Sequence, residues 1–331
     1  MQKKIRWGIL GCGNIAKKFA SDLHYVEGAE LLAAGSRNQA TADEFSASFS
    51  IPHSHGGYEA LVNDEEVDVI YIASPHGLHH AHAMLCLKKK KAVLCEKAFA
   101  INSQQAEEMI NTAKQQQVFL MEALWTKFTP QYDIVLQMIR QGDLGEIQNL
   151  IVDFGFIPVP PFSARLYEPA LGGGSLLDIG IYNVFITLSV LGRPDIIEAC
   201  MTPASTGVDE QCAATFRYNN GAIAQLFSSF SSNLATEADI SGTKGRIRLT
   251  PRFYNPTTAV IEYYPGRIDT KQIIPHHSEP GFGYQYQARH VCECLRQGLT
   301  ESPVMSHADT LLIMETMDRI RASAGIYYEV D

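Results

Sequence analysis

The chain has 331 residues and a formal net charge of −9, and 46% of its residues are hydrophobic. This composition supplies a sizeable apolar core and excludes a largely disordered chain. The excess of acidic residues argues against a nucleic-acid-binding protein, which normally carries a basic face. The length suggests about two domains of ordinary size.

The sequence lacks the patterns typical of a secreted or membrane protein. Its seven cysteines form neither a disulfide framework nor the paired spacing of a zinc ribbon. Residues 1–5 lead directly into a strand pattern without the apolar core of a signal peptide. No apolar run approaches the roughly 18 residues that a membrane-spanning helix needs. We therefore expect a cytoplasmic protein that binds neither a membrane nor a nucleic acid.

The first third of the chain alternates between strand and helix patterns. Apolar runs predict strands at residues 5–10, 30–35, 67–73, 92–95 and 118–124. Helical patterns lie between them at residues 14–24, 41–49, 79–89 and 103–117. Strands that alternate with helices in this way indicate parallel βαβ units whose sheet is covered on both faces.

The rest of the chain has a different pattern. It predicts a strand at 147–156, a long apolar helix at 176–191, strands at 212–218, 222–230, 235–241, 245–250 and 258–264, and helices near 284–297 and 306–324. Turn signals such as Asn219-Asn220-Gly221 separate the strands. This half is therefore an α+β domain with a large, mostly antiparallel sheet. We place the domain boundary after Leu124, which gives domains at 1–124 and 125–331.

A glycine motif follows the first predicted strand and begins the first helix. Its residues are Gly11-Cys12-Gly13-Asn14-Ile15-Ala16, which match the pattern G-x-G-x-x-A. Gly11 allows a tight turn, Gly13 lets a pyrophosphate approach the backbone, and Ala16 permits close packing of helix and strand. The helix N-terminus then offers N–H groups and a positive dipole to the anion. The motif predicts a Rossmann-type dinucleotide site; the alternative is a glycine-rich turn without a ligand.

The end of the second strand bears on the choice of cofactor. An NAD-binding protein of this type places Asp or Glu there to hold the ribose 2′-hydroxyl, but this chain has Ser36 and Arg37. Arg37 can pair with a 2′-phosphate, and the Ser36 hydroxyl can donate a hydrogen bond to it. The sequence therefore favours NADP, with NAD possible. Alternatively, Arg37 stacks on the adenine or faces solvent.

Four further motifs follow the predicted strands. They are Ser74-Pro75-His76-Gly77-Leu78-His79, Glu96-Lys97-Ala98, Glu122-Ala123-Leu124-Trp125-Thr126-Lys127-Phe128, and Gly172-Gly173-Gly174-Ser175-Leu176-Leu177-Asp178-Ile179-Gly180-Ile181-Tyr182. Their order and spacing resemble the Gfo/Idh/MocA oxidoreductase family. The Trp125 segment and Tyr182 are most similar to its branch of dimeric dihydrodiol dehydrogenases and NADP-dependent D-xylose dehydrogenases.

This resemblance implies an N-terminal Rossmann domain for the dinucleotide and a C-terminal domain for substrate binding and oligomerisation. It implies hydride transfer between a nicotinamide and a cyclic polyol carbon, either C1 of an aldopyranose or a carbon of a trans-dihydrodiol. It further implies a homodimer or homotetramer formed through an open-faced C-terminal sheet. The apolar residues on both faces at 222–227 agree with such an uncovered sheet, although helices on both faces remain an alternative.

The resemblance also implies roles for individual residues. Lys97 corresponds to the catalytic lysine of the family, and Tyr182 stands where many members have histidine and where this branch has its acid/base. The implied cofactor contacts are the glycine motif with Cys12, Asn14 and Ile15, the strand end with Ser36 and Arg37, and Ser74, Pro75, His76, His79, Glu96 and Lys97. The family proline after the lysine is replaced by Ala98, so we expect a trans Lys97–Ala98 bond, or a cis bond that is retained for function.

Asp178 and Tyr182 are four residues apart and therefore lie on one helical face. A phenol has a pKa near 10, about three units too high for a base at neutral pH, and a nearby Lys97 ammonium would lower it. Asp178 would orient the lysine or bind a substrate hydroxyl. The alternatives are a capping role for Asp178 with Ser175, a core role for Tyr182 and a surface position for Lys97.

Aromatic side chains complete the predicted site. Trp125 and Phe156 are expected to contact the substrate, although Trp125 is equally explained as a hydrophobic plug between domains. We expect no metal site, because only His79 and His82 of the nearby histidines share a helical face and no carboxylate accompanies them. The alternative functions are reduction of another sugar-like ketone, or a catalytically weak regulatory protein of the same fold that binds the cofactor.

Overall fold

The computed structural model describes residues 3–160, 164–263, 271–274 and 279–331. The first unit of the chain contains the elements of a Rossmann sheet: β1 (Ile5–Leu10), α1 (Asn14–Leu23), β2 (Ala29–Ser36), α2 (Gln39–Phe49), β3 (His53–Gly56), α3 (Tyr58–Val62), β4 (Val69–Ile72), α4 (His79–Lys88), β5 (Ala92–Glu96), α5 (Ser103–Gln116) and β6 (Leu120–Ala123). The strands are parallel in the order β3-β2-β1-β4-β5-β6. The prediction of a parallel sheet is confirmed.

Burial explains why the apolar runs form the central strands. Every residue of β4 and β5 is buried, and Trp7 and Ile9 of β1 are fully enclosed. A parallel sheet covered on both faces requires such continuous apolar runs, since no strand residue faces water. The short strand β3 was not predicted, because its residues are polar and it lies at the sheet edge.

The following elements are α6 (Pro130–Gln141), β7 (Ile147–Gly155), a π-helical turn (Leu176–Gly180), α7 (Ile181–Leu191), β8 (Ile196–Pro203), β9 (Asp209–Arg217), β10 (Ile223–Ser229), β11 (Ala238–Gly242), β12 (Gly245–Leu249), β13 (Ala259–Tyr263) and β14 (Lys271–Ile274). The sheet order is β14-β13-β12-β11-β7-β10-β9-β8. Within this sheet, only β7 and β10 pair in parallel among the described strands. The prediction of a mostly antiparallel sheet is confirmed, although α6, β8 and β14 were not predicted.

Two helices complete the chain: α8 (Tyr284–Arg296) and α9 (His307–Ala324). The chain divides into two compact units, Met1–Trp125 with Glu279–Leu311, and Thr126–Ser278 with Leu312–Asp331. The first segment ends close to the predicted boundary after Leu124. The sequence analysis assigned 279–311 to the second domain, whereas these residues cluster with the first unit.

The contacts of Asp22 show why 279–311 belongs to the first unit. Its buried carboxylate accepts hydrogen bonds from the backbone N–H groups of Phe282, Gly283 and Tyr284 at 2.8–2.9 Å. A carboxylate in this position satisfies the unpaired N–H groups at the start of α8 and complements the helix dipole. No local pattern indicates that an aspartate near the end of α1 caps a helix more than 250 residues later.

The segment Pro169–Leu191 is long and apolar enough to span a membrane, with a mean hydropathy of 1.6 over an 18-residue window, but 83% of that window is buried inside the protein. The expectation that no run approaches this length is therefore wrong on length and composition. Residues Ile181 to Leu188 are all buried, and Asn183 donates a hydrogen bond to the Phe227 carbonyl of β10 at 2.8 Å. Because α7 packs on the sheet, its apolar character is explained by the core of the second unit.

The second sheet has one face covered by α7, and its other face is open as far as the described residues show. Leu150 and Val152 of β7 are buried, whereas Ile151 between them is 48% exposed. Ile196 and Ile223 are similarly half exposed on the same sheet. Alternation of buried and exposed residues is what an antiparallel sheet with one covered face shows.

Candidate active site

The glycine motif adopts the backbone that its residue types require. Gly11 has φ of +97°, and a Cβ atom there would lie 3.1 Å from the carbonyl oxygen of Ala73. Gly13 has ordinary φ, and a Cβ atom on it would meet none of the described residues within 4 Å. Gly11 is therefore needed for the turn, and Gly13 leaves open space beside the backbone.

This open space lies at the N-terminus of α1. Among the described residues, no side chain caps the helix, whose N-cap is Gly13. The first backbone N–H groups, beginning with Asn14 and Ile15, are therefore available to an anion. Burial raises the pKa of Cys12 to about 11, so this residue adds no negative charge at neutral pH. The residues of the motif fit the pyrophosphate of a dinucleotide.

A cation, Arg37, follows the end of β2, and residues 35–38 contain no carboxylate. Arg37 is exposed, and its charge contributes to lowering the pKa of His82, after burial as the main cause. Burial raises the pKa of Tyr58, and Arg37 opposes this shift. The Tyr58 and His82 rings meet edge to face at 4.6 Å, and His82 Nδ1 lies 2.9 Å from the Ser74 hydroxyl. Sequence reasoning missed Tyr58 and His82, because only the fold brings them near Arg37.

Lys97 follows β5 at the carboxyl edge of the parallel sheet. It is partly exposed, whereas Glu96 before it and Ala98 after it are buried. Glu96 accepts a hydrogen bond from the Tyr71 hydroxyl, and Tyr71 stacks on Phe19 with the ring centroids 3.8 Å apart. The buried neighbours fix the strand end, so that the lysine emerges from a rigid element.

The Lys97–Ala98 peptide bond is cis. The expectation of a trans bond is therefore wrong. The expectation of a trans bond used the energy difference between cis and trans bonds in isolated peptides, which does not include the buried contacts around this bond. Here the Ala98 carbonyl oxygen lies 2.7 Å from Nδ1 of the buried His79.

His79 lies between two carbonyl oxygens, since its Nε2 is 2.7 Å from the oxygen of Ser74. Burial, with added repulsion from His82 and Lys97, lowers its pKa to about 4, although the hydrogen bonds to the carbonyl oxygens of Ala98 and Ser74 oppose this shift. The His76 ring, also buried, meets it edge to face at 5.7 Å in a turn after Pro75. His79 and His76 are thus buried side chains of the structure that follows the strand ends.

The three histidines at the start of α4 have separate partners. His79 faces the carbonyl oxygens of Ser74 and Ala98, His80 lies 2.9 Å from Glu108, and His82 faces the Ser74 hydroxyl. The structure does not bring them to a common point.

Glu122 lies beside Glu96 on neighbouring strands and is 1% exposed. Burial raises its pKa to about 8, and the charge of Glu96 acts in the same direction. Lys97 opposes the shift, which indicates that its ammonium acts on this buried carboxyl. Glu122 is therefore protonated at neutral pH.

Trp125, at the end of the first unit, is 4% exposed. Its indole stacks on Tyr284 of α8, with ring centroids 4.4 Å apart and planes at 11°. This contact lies within the first unit and explains the burial of the indole there.

Asp178 lies in the π-helical turn before α7 and has a side chain that is 8% exposed. Its Oδ1 atom accepts a hydrogen bond from Arg165 Nη1 at 2.6 Å. The hydroxyl of Ser175 and the N–H of Leu176 are instead held by Oδ2 of Asp209, at 2.8 and 2.7 Å. Asp209 thus caps this turn, which is the role that the alternative gave to Asp178. The sequence pattern did not indicate this role for Asp209.

Tyr182 lies four residues after Asp178, in the first turn of α7, and is 6% exposed. Its ring lies 5.1 Å from Tyr254 and 6.0 Å from Phe154. Phe156 contacts Phe154, and an edge-to-face contact joins it to Phe230. We call Phe154, Phe156, Tyr182, Phe230 and Tyr254 the aromatic cluster. Sequence reasoning missed Tyr254 and Phe230, because contacts between distant strands leave no local pattern.

Comparison with known proteins shows the family of the chain. Residues 5–124 match an oxidoreductase family with an NAD-binding Rossmann fold, and residues 132–248 match the GFO/IDH/MocA C-terminal domain. The chain is 35% identical to trans-1,2-dihydrobenzene-1,2-diol dehydrogenase of Xenopus tropicalis, over 98% of this chain and 99% of that protein. The Homo sapiens enzyme of the same name is 34% identical over 99% of both chains. The chain belongs to the Gfo/Idh/MocA family.

Solved structures of similar fold include two enzymes. KijD10, a 3-ketoreductase from Actinomadura kijaniata in complex with NADP and TDP-benzene, has a TM-score of 0.87 and 26% identity, over 97% of this chain and 98% of that one. An aldose–aldose oxidoreductase from Caulobacter crescentus has a TM-score of 0.87 and 24% identity, over 98% of both chains. At that identity the second likeness shows the fold alone.

Membership of the Gfo/Idh/MocA family confirms the resemblance seen in the four motifs. The chain is an NAD(P)-binding oxidoreductase that acts on CH–OH groups by hydride transfer.

Proposed function

We propose that this Gfo/Idh/MocA protein is an NADP-dependent dehydrogenase of a cyclic polyol carbon, with Tyr182 as the acid/base and Lys97 assisting it. The observation that carries the proposal is that Asp178 and Tyr182 lie one helical turn apart and that the Tyr182 ring belongs to the aromatic cluster. A buried carboxylate and phenol next to aromatic rings provide polar contacts for hydroxyl groups and apolar contacts for a ring.

The cofactor is held by the first unit in this proposal. Gly11, Gly13 and the N-terminus of α1 bind the pyrophosphate, with backbone contacts from Cys12, Asn14 and Ile15. The strand-end residues Ser74, Pro75, His76, His79, Glu96 and Lys97 form the edge on which the nicotinamide half lies. When bound, the nicotinamide accepts or supplies the hydride.

A preference for NADP is supported by Ser36 and Arg37 at the end of β2, and by NADP in the structure of KijD10. Arg37→Ala should weaken NADPH binding at least tenfold and leave NADH binding nearly unchanged, because only the 2′-phosphate loses its cation. Titration of nicotinamide fluorescence measures both constants. Arg6→Ala is the matched control, since Arg6 is instead paired with Asp68. An equal loss for both cofactors in Arg37→Ala would contradict the preference.

Tyr182 and Asp178 of the second unit transfer the proton and orient the substrate, respectively. In oxidation, the Tyr182 phenolate takes the proton of the substrate hydroxyl, and in reduction the phenol returns it. The positive charge of Lys97 favours the phenolate over the phenol. Asp178, held by Arg165, accepts a hydrogen bond from a neighbouring substrate hydroxyl and so orients the ring.

The test is a set of single and double substitutions. Tyr182→Phe and Lys97→Met should each remove most turnover while leaving NADPH binding intact. If the two residues act as one unit, the double variant should lose little more than either single variant. Tyr25→Phe and Lys89→Met, at exposed positions, are the matched controls. Near wild-type turnover in Tyr182→Phe or Lys97→Met would refute the assignment.

The substrate class is a trans-dihydrodiol or an aldopyranose. The first is supported by the name of the relatives from Xenopus tropicalis and Homo sapiens. Trp125 and Phe156 are proposed as apolar substrate contacts. A screen of aldoses, trans-diols and sugar ketones with NADP or NADPH tests the class, and the ketones also test the reductive alternative that KijD10 represents. Cofactor binding without turnover of any of these would favour the regulatory alternative.

The protein assembles as a homodimer or homotetramer through the open face of the second sheet. Support comes from a groove of about 660 Å³ on that face, lined by residues such as Ile151, Cys200 and Phe227. Ile151→Lys should yield monomers in light-scattering measurements, because a charge would be buried in the interface. Val159→Lys, at an exposed residue outside the groove, is the control. An unchanged mass for Ile151→Lys would exclude this interface.

A cytoplasmic location is supported by the cysteines, all seven of which are free thiols, as is usual in a reducing compartment. Fractionation of source cells, with detection by an antibody, tests it. Recovery of the protein outside the cytoplasm would contradict this part of the proposal.

A further inference from the structure

Two histidines that the proposed chemistry does not use lie on the edge strand β3. His53 and His55 are separated by one residue, so their side chains lie on the same face of the strand. Parallel pairing with β2 holds them in register, with His53 opposite Ala33 and His55 opposite Gly35. The two imidazoles are therefore presented side by side by a rigid element.

Asp64, in the segment that follows α3, meets both imidazoles. Its Oδ2 atom lies 2.6 Å from Nδ1 of His53 and 3.0 Å from Nε2 of His55. One potential ligand atom from each of the three residues lies within 4.8 Å of the other two. The Asp64 side chain is 8% exposed, whereas the histidines are 32% and 21% exposed. The group is thus partly accessible to solvent.

Surrounding contacts orient the carboxylate. Its Oδ1 atom accepts a hydrogen bond from the backbone N–H of Glu66 at 3.0 Å, which leaves Oδ2 directed at the imidazoles. The Lys91 ammonium donates to the carbonyl oxygens of Asp64 and Val67, at 2.6 and 2.9 Å, and so fixes the backbone of this segment. The carboxylate of Glu66 lies 3.6 Å from the other nitrogen of His53. Carboxylates in this position orient metal-bound histidines in known zinc sites.

We propose that His53, His55 and Asp64 form a binding site for a divalent transition-metal ion, with Zn²⁺ as the best fit and water as the fourth ligand. Imidazole nitrogen and carboxylate oxygen are ligands that zinc prefers, at about 2.0–2.2 Å in a tetrahedral arrangement. Tetrahedral ligands at that distance are about 3.3 Å apart. The observed separations of 2.6 and 3.0 Å from Oδ2 of Asp64 to the two histidine nitrogens are each less than 1 Å shorter than this spacing.

In this structure, Oδ2 of Asp64 lies within hydrogen-bond distance of one ring nitrogen of each histidine. A bound ion would replace these hydrogen bonds with bonds to metal and would tie β3 to the segment after α3. The site is not part of the proposed hydride transfer, which requires no metal. A bound ion would stabilise the edge of the Rossmann sheet at β3.

The experiment is a zinc titration of the full-length protein after treatment with a chelator. Isothermal calorimetry with ZnCl₂ should show one equivalent bound per chain, and the melting temperature should rise with zinc concentration, because the ion binds the folded state. In the variant His53→Gln/His55→Gln, binding should fall at least a hundredfold and the thermal shift should disappear. Cobalt(II) should give the intense visible bands of a four-coordinate ion in the wild type and not in this variant.

Two controls keep the result interpretable. His24→Gln/His80→Gln removes two histidines outside the group and should bind zinc as the wild type does. Far-UV circular dichroism and the urea midpoint establish that the His53→Gln/His55→Gln variant is folded. Zinc binding that survives in this folded variant, or wild-type binding no tighter than that of the variant, would overturn the proposal.

Discussion

The buried carboxyl of Glu122 makes the stability of the first unit dependent on pH. Burial is the largest cause of its raised pKa, about 8 against the ordinary 4.5, and Glu96 adds to it. Thr310, the Phe99 N–H and Lys97 oppose the shift but do not cancel it. The folded chain therefore keeps this proton to about pH 8, whereas the unfolded chain releases it near pH 4.5.

The direction of the effect follows from proton binding. Between about pH 4.5 and pH 8 the folded state binds more protons at Glu122 than the unfolded state does, so the free energy of unfolding falls as pH rises. The contribution is fully present below pH 4.5 and is lost by about pH 8. At about 1.4 kcal/mol for each pKa unit, the difference between 4.5 and about 8 sets a maximum loss of about 5 kcal/mol.

Glu122→Gln isolates this contribution, because glutamine has nearly the same shape as the protonated acid and cannot ionise. We expect wild type and variant to be similarly stable near pH 5, and the variant to become the more stable by several kcal/mol near pH 9. Urea unfolding followed by the fluorescence of Trp7 and Trp125 measures the difference. Glu66→Gln, at a side chain that is 62% exposed, is the matched control. A constant difference between Glu122→Gln and wild type over this range would refute the reasoning.

Three further substitutions test the local structure. Gly11→Ala should lower the free energy of unfolding by about 1–3 kcal/mol in urea titrations, because alanine is strained at φ of +97° and its Cβ approaches Ala73. Gly13→Ala should keep wild-type stability but weaken NADPH binding in fluorescence titrations, because its methyl group would enter only the open space beside the backbone. Tight NADPH binding in this variant would contradict the assignment of that space to the pyrophosphate. Asp209→Ala should lower the unfolding free energy by about 1–3 kcal/mol, because it leaves the N–H of Leu176 unpaired, and an unchanged urea midpoint would argue against that role.

Several features could be predicted from the sequence because they depend on local chemistry. The strand β1 begins and ends where the apolar run does, and the run ends at Gly11, which alone tolerates the turn that follows. The open pyrophosphate site at Gly13 and the position of Lys97 at a strand end could be predicted from the same alternation of strand and helix. Periodicity and glycine placement are properties of short segments, so they survive without knowledge of the fold.

Other features depended on contacts between distant segments. The caps that Asp22 and Asp209 provide join residues far apart in the chain, and neither aspartate carries a local sign of its role. The meeting of His53 with Asp64, and of Tyr182 with Tyr254, likewise required the folded backbone. Sequence patterns report which side chains must be buried, whereas only the tertiary structure decides which buried or polar groups become neighbours, because that choice is made by packing across strands and helices.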